Sequence, residues 1–278
     1  MNRKEEATRV FGLLGNPVGH SLSPLMHNAA YREMQLDAVY APFCVNDLEG
    51  AIRGIKALDI RGVSVTIPFK TAVLPLLDDI EESARTIGAV NTIVNDCGHL
   101  TGFNTDWTGL VRSLEELTNI RGKTFAVLGA GGTARAAVFG IRERGGVPVV
   151  VNRSEERGRR LALEFGCRFF RLDEIEKVEA DCLINTTPVG MAPQEEAMPV
   201  DRRNISRFRW VVDVIYRPWR TKLLEEAEKS GAGTMNGAGM LVYQGAEQIH
   251  LWTGQEPPVA LMRRVVREQL KAEKTGDL

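Results

Sequence analysis

Cysteine is scarce in this chain: Cys44, Cys97, Cys167 and Cys182 are the only four in 278 residues. Their separations of 53, 70 and 15 form neither a CxxC redox pair nor the close ligand spacing of a zinc site. Reduced thiols in a cytoplasmic protein without a structural metal are therefore expected. An excess of one charge is also absent. The 35 Lys and Arg stand against 36 Asp and Glu, which excludes the large basic footprint of a nucleic-acid-binding domain. No run approaches the roughly 18 consecutive apolar residues of a membrane span. The opening MNRKEEATRV has acidic residues and no apolar core, so no signal peptide is expected.

What remains is an ordinary folded composition, 44% hydrophobic and 26% charged. The length favours about two domains and a core that needs no covalent staples. Glycine is locally enriched. Of 27 glycines, six lie in 129–146 and five in 231–245, and that clustering requires a local reason.

Strand-like and helix-like segments alternate along the first hundred residues. VFGLLG (10–15), VYAPF (39–43) and GVSVTI (62–67) read as strands. Ser23-Pro24 reads as an N-cap with proline at the first helical position, opening a helix to about Gln35. DLEGAIRGIKAL is amphipathic, and AVNTIVNDCGHLTG (89–102) reads as a hairpin. This alternation implies βαβ units and a mainly parallel sheet. From Thr105 the pattern turns helical, with Trp107, Leu110, Val111, Leu114 and Leu117 on one face. Residues 124–153 then read strand, glycine-rich turn, helix, Gly-Gly break, strand. LINTTPVGM (183–191) and WVVDVIY (210–216) read as later strands. The tail is two helices parted at Pro257-Pro258.

The turn GAGGTA (129–134) follows a strand and opens a helix, the setting of a dinucleotide phosphate site. Gly129 suits the tight turn, and Gly131 lets a pyrophosphate approach the backbone. Gly132 opens the helix, whose N-terminal amides favour an anion; Thr133 follows, and the small Ala130 and Ala134 keep the turn compact. An NAD site carries Asp or Glu at the end of the next strand, on the ribose 2′-OH. Here that place reads Asn152-Arg153-Ser154. Arg153 offers a planar fork to a 2′-phosphate, and Arg157, one turn on, adds charge or stacks on adenine. NADP is the expected cofactor. Arg159 and Arg160 read instead as solvated helix residues beside Glu155 and Glu156.

Four further segments put polar residues at strand ends: GHSLSP (19–24), SVTIPFK (64–70), GAVNTI (88–93) and GFNTDW (102–107). With the glycine-rich turn, NRS (152–154) and GMLVYQGA (239–246), they resemble the shikimate dehydrogenase family in the same order, over nearly the whole chain. The resemblance implies an α/β fold with an N-terminal substrate-binding domain, a Rossmann-like NADP domain and C-terminal helices returning to the first. The expected boundaries are 1–104 with 238–278, and 105–237. It implies reversible NADPH-dependent reduction of 3-dehydroshikimate to shikimate, in aromatic amino-acid biosynthesis. Ser21 and Ser23 match the serines that hold the substrate carboxylate, and Lys70 and Asp106 the catalytic pair, which also touches substrate. Thr66, Asn91 and Gln244 match positions binding ring hydroxyls or carboxylate, and Tyr216 a further substrate position. Thr186, Gly237 and Met240 complete the implied cofactor set.

The chemistry requires such residues. As hydride reaches the substrate carbonyl, a proton must reach the developing alkoxide, and Lys70 or Asp106 can deliver it. Taken singly, each has a plainer role: Ser23 as a cap, Asp106 as an acid at a helix start, Lys70 as a surface lysine. The joint pattern favours chemistry. Two rivals stand beside it: a quinate or aminoshikimate dehydrogenase of the same fold, and a catalytically silent NADP-binding sensor. The expected partners are small molecules alone, with no nucleic acid and no membrane, acting on a monomer or homodimer.

Overall fold

The computed structural model describes residues 8–275. The first seven residues of the opening segment, read above for a signal peptide, lie outside the described residues. The described residues form two compact units, 8–105 with 245–266, and 106–244 with 267–275.

The first unit contains β1 (Arg9–Gly15), α1 (Ser23–Glu33), β2 (Ala38–Cys44), α2 (Leu48–Ala57) and β3 (Gly62–Val65). It continues with β4 (Asp79–Ile80), α3 (Glu82–Ile87), β5 (Thr92–Asp96) and β6 (His99–Phe103). Its sheet has the order β2-β1-β3-β5-β6-β4. The pairs β1–β2, β1–β3 and β4–β6 are parallel, while β3–β5 and β5–β6 are antiparallel. The β5–β6 hairpin turns through Cys97 and Gly98, at φ 52° and 88°, the double left-handed conformation of a tight type I′ turn. Helix α2 is capped by Asp47, whose carboxylate accepts from the Gly50 amide at 2.9 Å.

Three boundaries among these elements differ from the sequence expectation. Ser23 begins α1 rather than capping it; Leu22 holds the cap position with no side-chain bond, and the Ser21 hydroxyl accepts from the Ser23 amide at 3.2 Å. The serine two positions earlier forms this local turn, which Pro24 then locks into the helix. The helix also stops at Glu33, before Gln35 at φ 54°. Strand β3 ends at Val65, because Thr66 accepts from the Phe69 amide in a turn and Pro68 has no amide for the ladder.

The second unit contains α4 (Asp106–Leu117), β7 (Thr124–Leu128), α5 (Gly132–Glu143), β8 (Val147–Asn152), α6 (Glu155–Glu164) and β9 (Arg168–Arg171). Then come β10 (Cys182–Asn185), β11 (Trp210–Asp213), α7 (Lys222–Lys229) and β12 (Gly233–Met235). Helix α8 (Ala238–Thr253) begins in this unit and ends in the first, and α9 (Val259–Thr275) closes the chain. All pairs in the second sheet are parallel, in the order β12-β11-β10-β7-β8-β9. Counted from β7, that is the doubly wound dinucleotide-fold order read from its far edge.

Strand alternation divides the core of this sheet. Phe125, Val127, Val150, Ile184 and Val212 face α4, α5 and α6, through Leu110, Leu114, Ala137, Ile141 and Leu161. Ala126, Leu128, Val149, Leu183 and Val211 face the other layer, with Ile205, Leu223 and Leu224. The short edge strands β9 and β12 and helix α7 went unread in the sequence.

In the first unit, Trp252 of α8 lies flat where Gly62 leaves the sheet bare. A Cβ at Gly62 would meet the indole at 2.2 Å. The ring stacks on Phe11 at 5.2 Å between centroids, and its Nε1 donates to the Ile93 carbonyl at 3.0 Å. Gly62→Ala therefore forces the indole off the sheet, and a loss of about 1–3 kcal/mol is expected. Thermal unfolding with tryptophan fluorescence reads it; an unchanged melting temperature and emission would contradict this packing.

Candidate active site

The polar residues singled out in the first unit gather at one end of its sheet. That end holds the carboxyl termini of β1, β3 and β6 and, because β5 runs antiparallel, the start of β5. Ser21 and Ser23 follow β1, with Ser23 buried and Ser21 half-buried. Thr66 follows β3, its amide donating to the Leu14 carbonyl at 2.9 Å. Gly15 makes room for it, since a Cβ there would lie 2.3 Å from Thr66 Cγ2. The half-buried Lys70 accepts through its carbonyl from the Val90 amide at 2.8 Å, which fastens its segment beside Asn91. Asn91 is buried, its Oδ1 accepting from the Thr105 amide at 2.6 Å and its Nδ2 donating to the Thr105 hydroxyl at 2.9 Å.

In the second unit Asp106 is buried as the first residue of α4. One turn on, Gly109 lets α4 and α8 meet at backbone distance, where a Cβ would lie 2.8 Å from the Met240 carbonyl and 2.9 Å from the Gln244 amide. Gln244 is buried and donates to the Leu241 carbonyl at 2.9 Å, and Met240 packs into the core with Leu110 and Leu114. Gly237 touches the segment that leads to Tyr216. Its amide donates to the Ile215 carbonyl at 3.0 Å, and a Cβ would fall 1.9 Å from the Val214 carbonyl oxygen.

The glycine-rich turn has the shape a pyrophosphate needs. Gly129, at φ 118°, donates to the Val151 carbonyl, and a Cβ on it would meet the Thr186 hydroxyl at 2.7 Å. Thr186 itself donates to the Leu128 carbonyl at 2.6 Å, tying the ends of β7 and β10 together. Gly131 caps α5 in extended backbone with no side-chain bond, and a Cβ there would meet nothing within 4 Å. The first-turn amides of Gly132, Thr133 and Ala134 therefore have neither an intrahelical acceptor nor a capping side chain, and their positive end faces open space. Ala134 is fully buried, Ala130 half-buried. The turn fits a dinucleotide.

At the end of β8, Asn152 donates to the Ser154 carbonyl at 2.8 Å, and Ser154 caps α6. The nearby acids are already paired. Glu155 binds Arg159 at 2.7 Å and Arg171 at 3.6 Å, Glu156 binds Arg160 at 3.2 Å, and Glu164 binds Arg135. Among the described residues, exposed Arg153 and Arg157 have no carboxylate within 4.0 Å. Arg153 also lines an open cleft of about 810 Å³ of mixed charge, with Arg171, Arg202 and Arg203 beside Asp173, Glu176 and Asp201. Among the described residues no group of His, Cys, Asp and Glu is placed to hold a metal ion, and no helix is long and apolar enough to cross a membrane.

Sequence reasoning missed Asp213, a charge inside the apolar run WVVDVIY that ought to have drawn attention. Fully buried at the end of β11, it accepts from the Thr221 hydroxyl at 2.7 Å, and from the Asn185 amide and the Ile215 backbone at 3.1 Å. Asn185 in turn accepts from the Thr187 amide and hydroxyl. The Thr186 and Tyr216 segments thus share one buried anchor. Burial outweighs these donors and pushes the Asp213 carboxyl up to about 6. The folded chain then holds that proton more tightly than the unfolded one, so stability falls as pH rises from about 4 to 6 and levels off above. Melting curves of wild type and Asp213→Asn are expected to change their separation across that window, by up to about 3 kcal/mol. A separation independent of pH would contradict it.

Comparison with known proteins agrees with this geometry. Residues 13–93 match a model of the shikimate dehydrogenase substrate binding domain, and residues 237–267 a model of the shikimate 5'-dehydrogenase C-terminal domain. The shikimate dehydrogenase (NADP(+)) of Methanothermobacter thermautotrophicus is 42% identical over 278 residues, spanning 96% of this chain and 98% of its own. A crystal structure of a shikimate dehydrogenase in complex with NADP+ superposes with a TM-score of 0.89 at 40% identity, over 95% of this chain and 96% of that one. The shikimate 5-dehydrogenase of Thermus thermophilus, in complex with NADP(H) and shikimate, gives 0.86 at 37% identity, over 94% and 99%.

Proposed function

The chain belongs to the shikimate dehydrogenase family, and on that premise we propose that it reduces 3-dehydroshikimate to shikimate with NADPH, reversibly, in the cytoplasm. The activity is a step of aromatic amino-acid biosynthesis. The observation that carries the choice of cofactor is the pair Arg153 and Arg157, without carboxylate partners at the strand end where an NAD site would carry an acid. Residues 1–104 with 238–278 take the role of substrate domain, and 105–237 that of cofactor domain.

NADP, when bound, donates or accepts the hydride. The rest is the work of this chain's own residues. Ser21 and Ser23, at the start of α1, hold the substrate carboxylate with hydroxyl donors and the positive helix end. Thr66, Asn91, Tyr216 and Gln244 hold the ring. Lys70 and Asp106 are the proton-handling residues of this reading, and the proton that leaves the hydroxyl during oxidation passes to one of them. The turn 129–134 takes the pyrophosphate on its backbone amides, with Thr186, Gly237 and Met240 toward the nicotinamide end. Asn152, Arg153, Ser154 and Arg157 take the adenosine 2′-phosphate, with the guanidinium groups as charge-assisted donors.

Lys70→Ala is expected to fold and bind NADP normally while kcat falls about 10²–10⁴-fold. Near-normal turnover would remove Lys70 from the chemistry. Arg153→Asp is expected to weaken NADP about tenfold or more while NAD changes little, since a charged hydrogen bond is lost only with the phosphate. Equal losses for both would mean that Arg153 does not read the phosphate.

A further inference from the structure

Gln248 lies one helical turn beyond Gln244 on α8 and is almost fully buried. Its Nε2 donates to the Asn91 backbone carbonyl at 3.2 Å and to the Thr92 hydroxyl at 2.9 Å. Its Oε1 accepts from the Ser64 hydroxyl at 2.8 Å, and Ser64 accepts from the Tyr40 hydroxyl at 2.7 Å. The Thr92 hydroxyl donates to Asn91 Oδ1 at 2.9 Å, the same oxygen that accepts from the Thr105 amide.

Two of these bonds have only one possible direction, because a backbone carbonyl can only accept and a backbone N–H can only donate. The Asn91 carbonyl settles which end of the Gln248 amide is nitrogen. Its oxygen then faces Ser64, so Ser64 must give its proton to Gln248 and take one from Tyr40. At the other end, the Thr105 amide settles which end of the Asn91 side chain is oxygen. Thr92, already an acceptor from Gln248, has its own proton left for that oxygen. The donors run in one sense from Tyr40 through Ser64, Gln248 and Thr92 to Asn91.

We infer that Gln248 is a positioning residue for the reaction. Acting through Thr92, it holds the Asn91 amide with its oxygen turned inward, so that only the nitrogen side can meet a ligand. The inference rests on the reading of Asn91 as a substrate residue. It specifies that Asn91 recognises substrate as a donor, to the oxygen of a ring hydroxyl or carboxylate. The far end of the chain reaches the other substrate segment: the His27 ring stacks on Tyr40 at 4.2 Å, and its Nδ1 donates to the Ser23 carbonyl at 2.8 Å.

The test compares Gln248→Met, Thr92→Val and Thr92→Ser in the full-length enzyme, with KM for shikimate and NADP and the Asn91 side-chain amide resonance as readouts. Gln248→Met and Thr92→Val are each expected to raise the shikimate KM about tenfold, the scale of a net buried hydrogen bond, with the NADP KM within about twofold. Both shift the Asn91 resonance. Thr92→Ser, which keeps the hydroxyl, stays near wild type, and the double variant Gln248→Met with Thr92→Val is no worse than the poorer single one. Multiplying losses, an unchanged shikimate KM in both single variants, or an NADP KM that rises as much would overturn the inference. If Gln248→Met fails to fold, the Thr92 pair alone decides. If the wild type does not turn over shikimate, the functional reading falls by itself. The resonance then decides the positioning role: a shift with Thr92→Val but not with Thr92→Ser supports it, and no shift overturns it.

Discussion

The reversal of strand order between β7 and β10 is the constraint on which the second unit depends. The chain leaves β7 toward one side of the sheet and β10 toward the other, opening a crevice at their carboxyl ends that no connection has to cross. A parallel sheet covered on both faces must be apolar along its strands, so polar chemistry is driven to where the strands stop. The residues obey this closely. Asn152, Asn185 and Asp213 are the last residues of β8, β10 and β11. Around the crevice, Thr186 binds the end of β7 and Asp213 ties the two later loops together.

The first unit applies the same logic to a mixed sheet. Its antiparallel strand β5 brings Asn91 to the end where β1 and β3 finish. A start and two finishes of strands therefore supply Ser21, Ser23, Thr66, Lys70 and Asn91 from three separate stretches of sequence. Asn91 and Ser64 would be costly in such a core without partners. Gln248, Thr92 and Thr105 supply them, and because the partners are directional they also set which way Asn91 points.

Much of this was legible in the sequence because it is local. The βαβ unit around GAGGTA, the I′ hairpin and the two C-terminal helices follow from periodicity and turn chemistry within a dozen residues. The pairing of Arg159 and Arg160 with Glu155 and Glu156 follows from helical spacing. The strands Arg168–Arg171 and Gly233–Met235 were not legible, since three or four residues at a sheet edge carry no measurable period. Ser23 misled for a similar reason: serine before proline suits a cap, but Ser21 makes the turn instead. The Asp213 and Gln248 networks join residues up to 184 positions apart, as Ser64 and Gln248 are, and only the fold brings them together. For Lys70 and Asp106 no local rule sufficed. Each looks ordinary alone, and their reading came from the order of motifs along the chain.

The proposed NADP-linked oxidation of shikimate rests on Arg153 and Arg157 beyond β8, which have no carboxylate partner among the described residues, and on the strand-end polar groups. Initial rates for the purified protein with shikimate and with quinate, each supplied with NADP+ and with NAD+, test it most directly. The highest kcat/KM is expected for shikimate with NADP+. A preference for quinate with NAD+ would contradict the substrate and the cofactor assignments at once.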